Sequence, residues 1–350
     1  MDFEQYSYTF SKEALKSGYA KQEIDRCLNY AMVLFSHNVP VIYNASHLAQ
    51  LVGYKKEYLK KATLYTNNFY RNFEIVKKNG GKRLISEPLP SLKEIQLWIL
   101  KNILYKIPVN PVAKAYKPNV KIIENLRFHR NQPKVLTLDL QNFFPSIKIN
   151  AIQNIFRNLG YSKFISRLLA KLCTKNDELP QGAPTSPYLS NLIFKKADAL
   201  IFDFCKQRKI RYTRYADDLC FSGNFDEKEL LEKVIDVVEE MGFSINMVKT
   251  KLMFPNTRQT VIGVVVNEKS QVVFHKRNAL RQAIYYIKKF GLNEHQEYKG
   301  IRQKNYLEHL LGKINFVLQI NPKDTEFLNY KDFLIDLKKR NEQGKQVIID

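Results

Sequence analysis

Two adjacent carboxylates, Asp217 and Asp218, are the side chains of this 350-residue sequence that point most directly to chemistry. Residues 211–214 before them and residues 219–222 after them have the aromatic and alternating residues of short β-strands, which predicts a tight hairpin with the aspartates at its tip. Two like charges held that close together need a cation. Asp is also an ordinary turn residue, so an ordinary hairpin turn without a cation remains an alternative for the pair taken alone.

A third carboxylate, Asp139, follows an apolar run at residues 135–138 that has the pattern of a buried strand. A charge at that place is costly unless it is paired or bound to a metal. Asp139 and Asp217 offer hard oxygen donors, and the main-chain carbonyl of Leu140 offers another. Because no His or Cys joins these positions, the residue types favour Mg²⁺ over zinc.

Between these carboxylates lies a proline-rich loop, residues 179–187, that leads into a helical pattern. Ser186 is the expected N-cap of that helix and Pro187 its first residue. Apolar residues then recur at helical spacing as far as Phe204. The chain order is therefore a strand with an aspartate, a Gln-Gly loop, a helix and an Asp-Asp hairpin.

This order resembles motifs A, B and C in the palm of reverse transcriptases. Residues 80–88 resemble the fingers hairpin of that family, residues 245–251 resemble its motif D, and residues 261–266 lie where it has the primer grip. The resemblance covers about residue 60 to about residue 270. It implies an α+β fold, a right-hand polymerase with an antiparallel palm sheet, fingers made of helices and a hairpin, and a helical thumb.

The resemblance also implies a catalytic centre with two Mg²⁺ ions. Asp139 and Asp217 would bind them together with the Leu140 carbonyl, and Asp218 would support the site. The reaction would be an in-line displacement at the α-phosphorus of the incoming nucleotide, with one ion at the primer hydroxyl and one at the triphosphate.

By the same resemblance, several residues would contact the nucleotide. Lys82 and Arg83 would neutralise the triphosphate, and Gln181 would lie against the nucleotide. Phe144 would act as a steric gate that excludes a ribose 2′-hydroxyl, with an ordinary core position as the alternative. Lys249 would donate a proton to the pyrophosphate.

Within the family, the segments at residues 179–184 and 214–218 look most like those of bacterial retron reverse transcriptases. Two retron signatures match in part: Leu126 replaces the alanine of an Asn-Ala-x-x-His segment, and Val-Ile-Gly replaces Val-Thr-Gly. Without the resemblance, the first segment would be a polar pair on a solvated helix face. The residues that the resemblance assigns to RNA and primer recognition are Asn125, His129, Val261, Ile262 and Gly263.

Composition and the C-terminal pattern agree with a nucleic-acid partner. The chain has 56 Lys and Arg against 34 Asp and Glu, a net charge of +22, which attracts polyanions. A helix pattern over residues 275–290 places Lys276, Arg277 and Arg281 beside an apolar face. This basic face could follow a phosphate backbone, and a solvated surface is the alternative.

We predict three parts: an N-terminal helical extension (1–62), interleaved fingers and palm (63–265), and a helical thumb with the RNA-recognition region (266–350). The four cysteines form no C-x-x-C pair, so neither a zinc site nor a disulfide framework is indicated. No segment has the length and apolarity of a membrane span or signal peptide. We therefore expect a cytoplasmic protein without a membrane partner.

The predicted helices cover residues 11–35, 44–62 with a break at Gly53, 92–105, 275–290, 303–319 and 324–339.

The resemblance implies an RNA-directed DNA polymerase of retron type. Its partners would be deoxynucleoside triphosphates, a cognate structured non-coding RNA that serves as template and primer source, the branched RNA–DNA product, and a separate effector protein in anti-phage defence. Template removal would fall to another protein. The alternatives are a bacterial reverse transcriptase of the group II intron, diversity-generating or abortive-infection type, and a non-catalytic RNA-binding scaffold. Intact Asp139, Asp217 and Asp218 argue against the scaffold.

Overall fold

Helices dominate the fold, and within the described residues short strands form three antiparallel sheets. A computed structural model describes residues 2–76 and 80–346. The helices of the described residues are α1 (Phe3–Lys16), α2 (Lys21–Ser36), α3 (Ala45–Val52), α4 (Lys56–Leu64), α5 (Pro90–Asn102), α6 (Ile122–His129), α7 (Phe143–Ser146), α8 (Ile149–Asn158), α9 (Lys163–Cys173), α10 (Ser186–Ile193), α11 (Lys195–Gln207), α12 (Glu227–Glu240), α13 (Phe274–Phe290), α14 (Leu292–Tyr298), α15 (Tyr306–Ile320) and α16 (Thr325–Gln346). The strands are β1 (Tyr70–Val76), β2 (Lys82–Pro88), β3 (Val135–Asp139), β4 (Arg211–Tyr215), β5 (Asp218–Ser222), β6 (Lys251–Met253), β7 (Thr260–Val261), β8 (Val264–Val265) and β9 (Gln271–Val272). Separate helices and antiparallel strands confirm the α+β class.

The chain divides into two compact units that alternate along the sequence. Unit 1 consists of Met1–Pro118, Asp139–Phe204 and Glu227–Asn246, and unit 2 of Asn119–Leu138, Cys205–Asp226 and Met247–Asp350. The three-part division made from the sequence stays a prediction. Over the described residues, no helix combines the length and apolarity needed to cross a membrane.

Unit 1 is mainly helical and carries the β1–β2 hairpin. Buried Gln96 on α5 links β1 to α9. The Gln96 Nε2 donates to the Tyr70 hydroxyl at 2.9 Å and to the Leu172 carbonyl at 2.8 Å. Three rings pack in its core, with the Phe143 centroid 5.7 Å from Phe194 and 5.5 Å from Phe243. A network of this kind fixes the first strand of the hairpin against α5 and α9.

Unit 2 contains the four-stranded sheet, with strand order β4-β5-β3-β6, and the three-stranded sheet β7-β8-β9. β3 pairs antiparallel with β6, and its last residue, Asp139, is counted with unit 1. Helices α6 and α13 to α16 complete the unit. Its apolar core includes Leu126, Val135, Val264, Ile284, Ile314 and Phe327.

Several predicted helices differ from the observed ones. The single helix expected over residues 11–35 is wrong, because Gly18 adopts φ +83° and separates α1 from α2. The break at Gly53 is confirmed, with φ +76° at the end of α3. Thr185, not Ser186, is the N-cap of α10. The helix expected to continue to residue 204 is interrupted at Phe194, between α10 and α11. In the C-terminal part, the predicted helices correspond to α13, α15 and α16, and α14 was not predicted.

Candidate active site

The Asp-Asp hairpin forms as predicted. β4 and β5 pair antiparallel with Tyr215 opposite Asp218, so that only Ala216 and Asp217 lie in the loop. Ala216 has φ +59°. For a residue with a Cβ, this left-handed conformation costs about 1–3 kcal/mol, and it persists only where surrounding contacts hold it in place. The turn that carries the two aspartates is therefore strained.

The neighbouring Arg214 holds this turn from inside the protein. Its side chain is fully buried, and Nη1 donates to the Ala216 carbonyl at 2.9 Å. A hydrogen bond with an ionised donor is about twice as strong as a neutral one. From the sequence, Arg214 is predicted as a strand residue within the retron-like segment 214–218, without a role in holding the turn. The available signal was an arginine within the predicted strand, three residues before the first aspartate of the turn.

His129 lies beneath the same hairpin and is fully buried. Its Nδ1 is 2.8 Å from the Ser222 hydroxyl and its Nε2 is 2.7 Å from the Thr213 hydroxyl. Burial, with a smaller contribution from the Arg211 charge, lowers the pKa of His129 to about 3. The imidazole is therefore neutral at physiological pH.

The burial of α6 corrects a prediction made from the sequence. Asn125 and His129 are 1% and 0% exposed, so neither side chain can contact an RNA directly, and the alternative of a solvated helix face is wrong as well. The Asn125 amide has no hydrogen-bond partner among the described residues. The pair belongs to the interior of unit 2, because Leu126 lies in its core and Ile122 and Ile123 of the same helix pack against that core.

The sheet topology places two of the predicted carboxylates at the ends of neighbouring strands. β3 and β5 are adjacent in the sheet. The Gly223 amide, just after β5, donates to the Lys134 carbonyl, just before β3, at 3.2 Å. The two strands therefore run in opposite directions, and the end of β3, at Asp139, lies at the same edge of the sheet as the start of β5, at Asp218.

The backbone of Asp139 is tied to the segment that resembles motif D. The Asn246 amide donates to the Asp139 carbonyl at 2.7 Å, and the Gln141 amide donates to the Ser244 carbonyl at 2.8 Å. These two bonds flank an isolated bridge between Leu140 and Ile245. The bridge does not use the Leu140 carbonyl, the predicted metal ligand.

The donor types at these strand ends suit a hard divalent cation, since aspartate and carbonyl oxygens are the ligands that Mg²⁺ prefers. In the part of the chain that the structure describes, no three His, Cys, Asp or Glu side chains form a group that could hold a metal ion. The metal site therefore stays a prediction from residue type and strand order.

Lys82 and Arg83 lie at the start of β2, and both are exposed to solvent. The Lys82 ammonium is 2.7 Å from a carboxylate oxygen of Glu74 on β1, in a pair that is largely exposed. Such a surface pair contributes little to stability. Glu74 therefore holds Lys82 only weakly, and the binding of a triphosphate by Lys82 and Arg83 stays a prediction.

The Gln-Gly loop is attached to the same strand. The Ser86 amide on β2 donates to the Gln181 carbonyl at 2.7 Å. Gly182 has φ +124°, and a Cβ there would lie 2.8 Å from the Ser86 carbonyl oxygen. Gly182 therefore allows the loop to approach β2 closely, which brings predicted nucleotide-binding residues of the fingers and of the loop into one part of unit 1.

Lys175 supports this approach and was missed in the sequence. Its ammonium donates to the Asn72 side-chain oxygen at 2.6 Å and to the Ser86 hydroxyl at 3.0 Å. Partial burial lowers the pKa of Lys175. Nothing in the local sequence marked it, because its partners are 103 and 89 residues away.

The two adjacent phenylalanines of α7 differ in environment. Phe143 is 2% exposed and belongs to the aromatic core of unit 1. Phe144 is half-buried, with its ring centroid 6.5 Å from that of Tyr116. Its steric-gate role stays a prediction. Lys249 lies exposed on a short 3₁₀ helix of unit 2, and its role also stays a prediction.

The basic face of α13 is divided between internal ion pairs and solvent. Arg277 contacts Asp324 at 2.6 Å, and both side chains are nearly buried. Arg281 donates to both carboxylate oxygens of Glu326, at 2.6 and 2.8 Å. This bidentate contact lowers the pKa of Glu326. Arg277 and Arg281 therefore attach α13 to the start of α16, whereas Lys276 on the same helix is exposed to solvent.

The segment at the predicted primer grip is a two-residue turn between β7 and β8. Val261 pairs with Val264, and the loop residues Ile262 and Gly263 have φ +52° and +72°. A loop with two positive φ angles normally prefers Asn-Gly, so Ile262 is strained. The Val261 side chain is 1% exposed and packs in the core, which excludes its direct contact with a primer. Recognition by Ile262 and Gly263 stays a prediction.

Comparisons with known proteins agree with these features. Residues 75–298 match the family model described as reverse transcriptase (RNA-dependent DNA polymerase). The Retron Ec86 reverse transcriptase of Escherichia coli is 32% identical over 291 residues, which cover 81% of this chain and 87% of that protein. The Retron Mx65 reverse transcriptase of Myxococcus xanthus is 31% identical over 306 residues, 81% of this chain and 69% of that protein.

The solved structures are less similar in sequence to this chain than these retron enzymes are. A foamy viral protease-reverse transcriptase in complex with double-stranded DNA is 17% identical, with a TM-score of 0.38 over 72% of this chain and 38% of that chain. Telomerase from Candida albicans in complex with a fragment of telomeric RNA is 12% identical, with a TM-score of 0.41 over 74% of this chain and 55% of that chain.

Proposed function

The chain belongs to the reverse transcriptase family, among its retron-type RNA-directed DNA polymerases, and from this we propose that Asp139, Asp217 and Asp218 are its catalytic carboxylates. The main support is the four-stranded sheet, in which the strand ending at Asp139 neighbours the strand starting at Asp218. Charged side chains at strand ends beside a strained turn are typical of a functional site rather than of packing.

The proposed cofactors are two Mg²⁺ ions, held by Asp139, Asp217 and the Leu140 carbonyl, with Asp218 in support. Bound Mg²⁺ would make the primer hydroxyl a better nucleophile and offset the negative charge of the triphosphate and of the pyrophosphate. The bridge to Ile245 leaves the Leu140 carbonyl out of its hydrogen bonds, which supports its assignment as a donor.

The substrates are proposed to be deoxynucleoside triphosphates. Lys82 and Arg83 would bind the triphosphate, and Gln181 would lie against the nucleotide. Phe144 would fill the space that a ribose 2′-hydroxyl needs, and Lys249 would give a proton to the leaving pyrophosphate. The hydrogen bond from the Ser86 amide to the Gln181 carbonyl supports a common site for the fingers and loop residues.

The catalytic assignment is tested by replacing both hairpin carboxylates, Asp217→Asn with Asp218→Asn. We expect primer extension in Mg²⁺ to be abolished while the thermal unfolding midpoint and RNA binding stay close to those of the unchanged protein. Asp177→Asn is a matched control, because it removes a surface carboxylate that pairs with Lys171. Full extension activity in the double variant would contradict the assignment.

The nucleic-acid partner is proposed to be a dedicated structured non-coding RNA that supplies both template and primer. The product would be DNA joined to RNA through a 2′–5′ branch, and its role would lie in anti-phage defence together with a separate effector protein. The net charge of +22 supports a polyanionic partner, and the similarity to retron enzymes over most of the chain supports the retron type.

The retron product is tested on nucleic acid isolated from cells that express the protein. We expect one RNA species to copurify, and a debranching enzyme to release a single DNA species from it. Binding to this RNA should keep a specific component at elevated salt, because phosphate contacts weaken steeply with ionic strength while contacts to bases and shape weaken less. Unbranched, heterogeneous cDNA without a dedicated RNA would instead indicate another class of bacterial reverse transcriptase.

A further inference from the structure

The retron-like segment at residues 125–129 ends in a histidine that joins the two strands of the Asp-Asp hairpin. Thr213 lies on β4, which leads into the turn, and Ser222 lies on β5, which leads out of it. The His129 ring contacts both hydroxyls at 2.7 and 2.8 Å, and all three residues are at most 1% exposed. The contact fixes α6 against both strands at once.

The chemistry of the ring makes this contact specific. A neutral imidazole has one donor and one acceptor nitrogen, so one hydroxyl accepts a hydrogen bond from His129 while the other donates one to it. Inside a protein such a network has few alternative arrangements, because an unpaired buried polar group is costly. The two strands are thereby held in one geometry below the turn.

Arg214 acts on the turn itself. Its buried guanidinium donates to the Ala216 carbonyl, and Ala216 is the residue with the left-handed φ of +59° directly before Asp217. A strained residue keeps its conformation only when neighbouring contacts determine it. His129 below the strands and Arg214 at the loop provide such contacts on either side of the aspartates.

We propose that His129 and Arg214 are positioning residues that hold the Asp217–Asp218 turn in its catalytic geometry. This inference rests on the proposed catalytic role of those aspartates. It replaces direct RNA recognition as the function of His129, since the ring is buried among protein groups. Neither side chain contacts a substrate in this scheme. His129 acts through the hydroxyls of Thr213 and Ser222, and Arg214 acts through the Ala216 carbonyl.

The sharpest test removes the hydroxyl of Thr213 and leaves its volume. Thr213→Val keeps the branched shape and loses the hydrogen bond to His129, whereas Thr213→Ser keeps the hydroxyl. We expect kcat for extension of a generic primer on a generic template to fall about 10- to 100-fold in Thr213→Val, because a small misplacement of catalytic groups costs that much. KM for the nucleotide should change little, and Thr213→Ser should retain most of the rate.

A second buried histidine of unit 2 controls for general destabilisation. His295 contacts the Tyr306 hydroxyl at 3.1 Å and is 4% exposed. Because it lies on α14 and not under the hairpin, His295→Phe should lower the thermal midpoint and leave kcat on the generic template unchanged. If both variants lose activity in proportion to their lost stability, the positioning role is wrong.

A comparison of two templates distinguishes a positioning role of His129 from a role in RNA recognition. Positioning predicts the same loss of kcat for Thr213→Val on the generic template and on the copurified RNA. A loss confined to the copurified RNA would restore a recognition role and overturn the proposal. A wild-type kcat in Thr213→Val, with an inactive Asp217→Asn variant, would refute this inference alone, while an active Asp217→Asn variant would refute the proposed function.

Discussion

Gly182→Ala is expected to disrupt the attachment of the Gln-Gly loop to the fingers strand. A Cβ at this position would lie 2.8 Å from the Ser86 carbonyl oxygen and 3.0 Å from Cγ2 of Ile85. The first of these atoms is backbone and cannot rotate away. The glycine also has φ +124°, which residues with a side chain rarely adopt. The loop or β2 must therefore move.

The loss in the free energy of unfolding caused by Gly182→Ala follows from these contacts. Forcing a residue with a side chain into a left-handed conformation costs about 1–2 kcal/mol. Loss of the hydrogen bond from the Ser86 amide to the Gln181 carbonyl costs about 0.5–1.5 kcal/mol more. We therefore expect the free energy of unfolding to fall by about 1.5–3.5 kcal/mol. Gly242→Ala is the matched control, because Gly242 has φ +78° and no atom within 4 Å of an added Cβ.

The assay compares both variants by urea denaturation and by single-nucleotide extension. Gly242→Ala should lose only about 1–2 kcal/mol, the cost of its backbone conformation, and should keep the nucleotide KM. Gly182→Ala should lose more stability and show a KM several-fold higher, because the Gln181 loop no longer lies against β2. Equal losses of stability, together with an unchanged KM, would refute the proposed contact between the loop and the strand.

Three further changes have defined outcomes. Phe144→Ala should increase ribonucleotide incorporation relative to deoxynucleotide in single-nucleotide extension, and an unchanged preference would make Phe144 an ordinary packing residue. Lys175→Met should raise the nucleotide KM through loss of its two hydrogen bonds to the β1–β2 hairpin, whereas Lys171→Met, which removes a surface ion pair, should not. Arg281→Met should destabilise the protein most at neutral pH. Arg281 lowers the pKa of Glu326 below its ordinary 4.5. The stabilisation of the folded protein by the Arg281–Glu326 ion pair is therefore fully present above pH 4.5, and it is lost as the pH falls through the folded-state pKa of Glu326. A difference in urea midpoint between Arg281→Met and the unchanged protein that does not shrink as the pH falls below 4.5 would contradict that origin.

Local patterns in the sequence determined the hairpin at Asp217 and Asp218, the break at Gly53 and the helix α13. Each of these depends on residues close together in the chain: alternating strands around a two-residue turn, a glycine with positive φ, and apolar residues at helical spacing. The order of the carboxylate motifs was also readable, and with it the family. Gly18 is a break signal of the same kind as Gly53, and the single helix predicted over residues 11–35 did not take it into account.

The tertiary structure alone decided the environments of the polar residues. Asn125 and His129 have a spacing that suits a solvated face, yet both are buried. His129 contacts Thr213 on β4 and Ser222 on β5, which lie more than 80 residues away in the chain. Arg277 and Arg281 were predicted to face RNA, but partners 47 and 45 residues away neutralise them. Whether a polar group is solvated, paired or buried depends on which distant segment packs against it, and the sequence around the group does not carry that information.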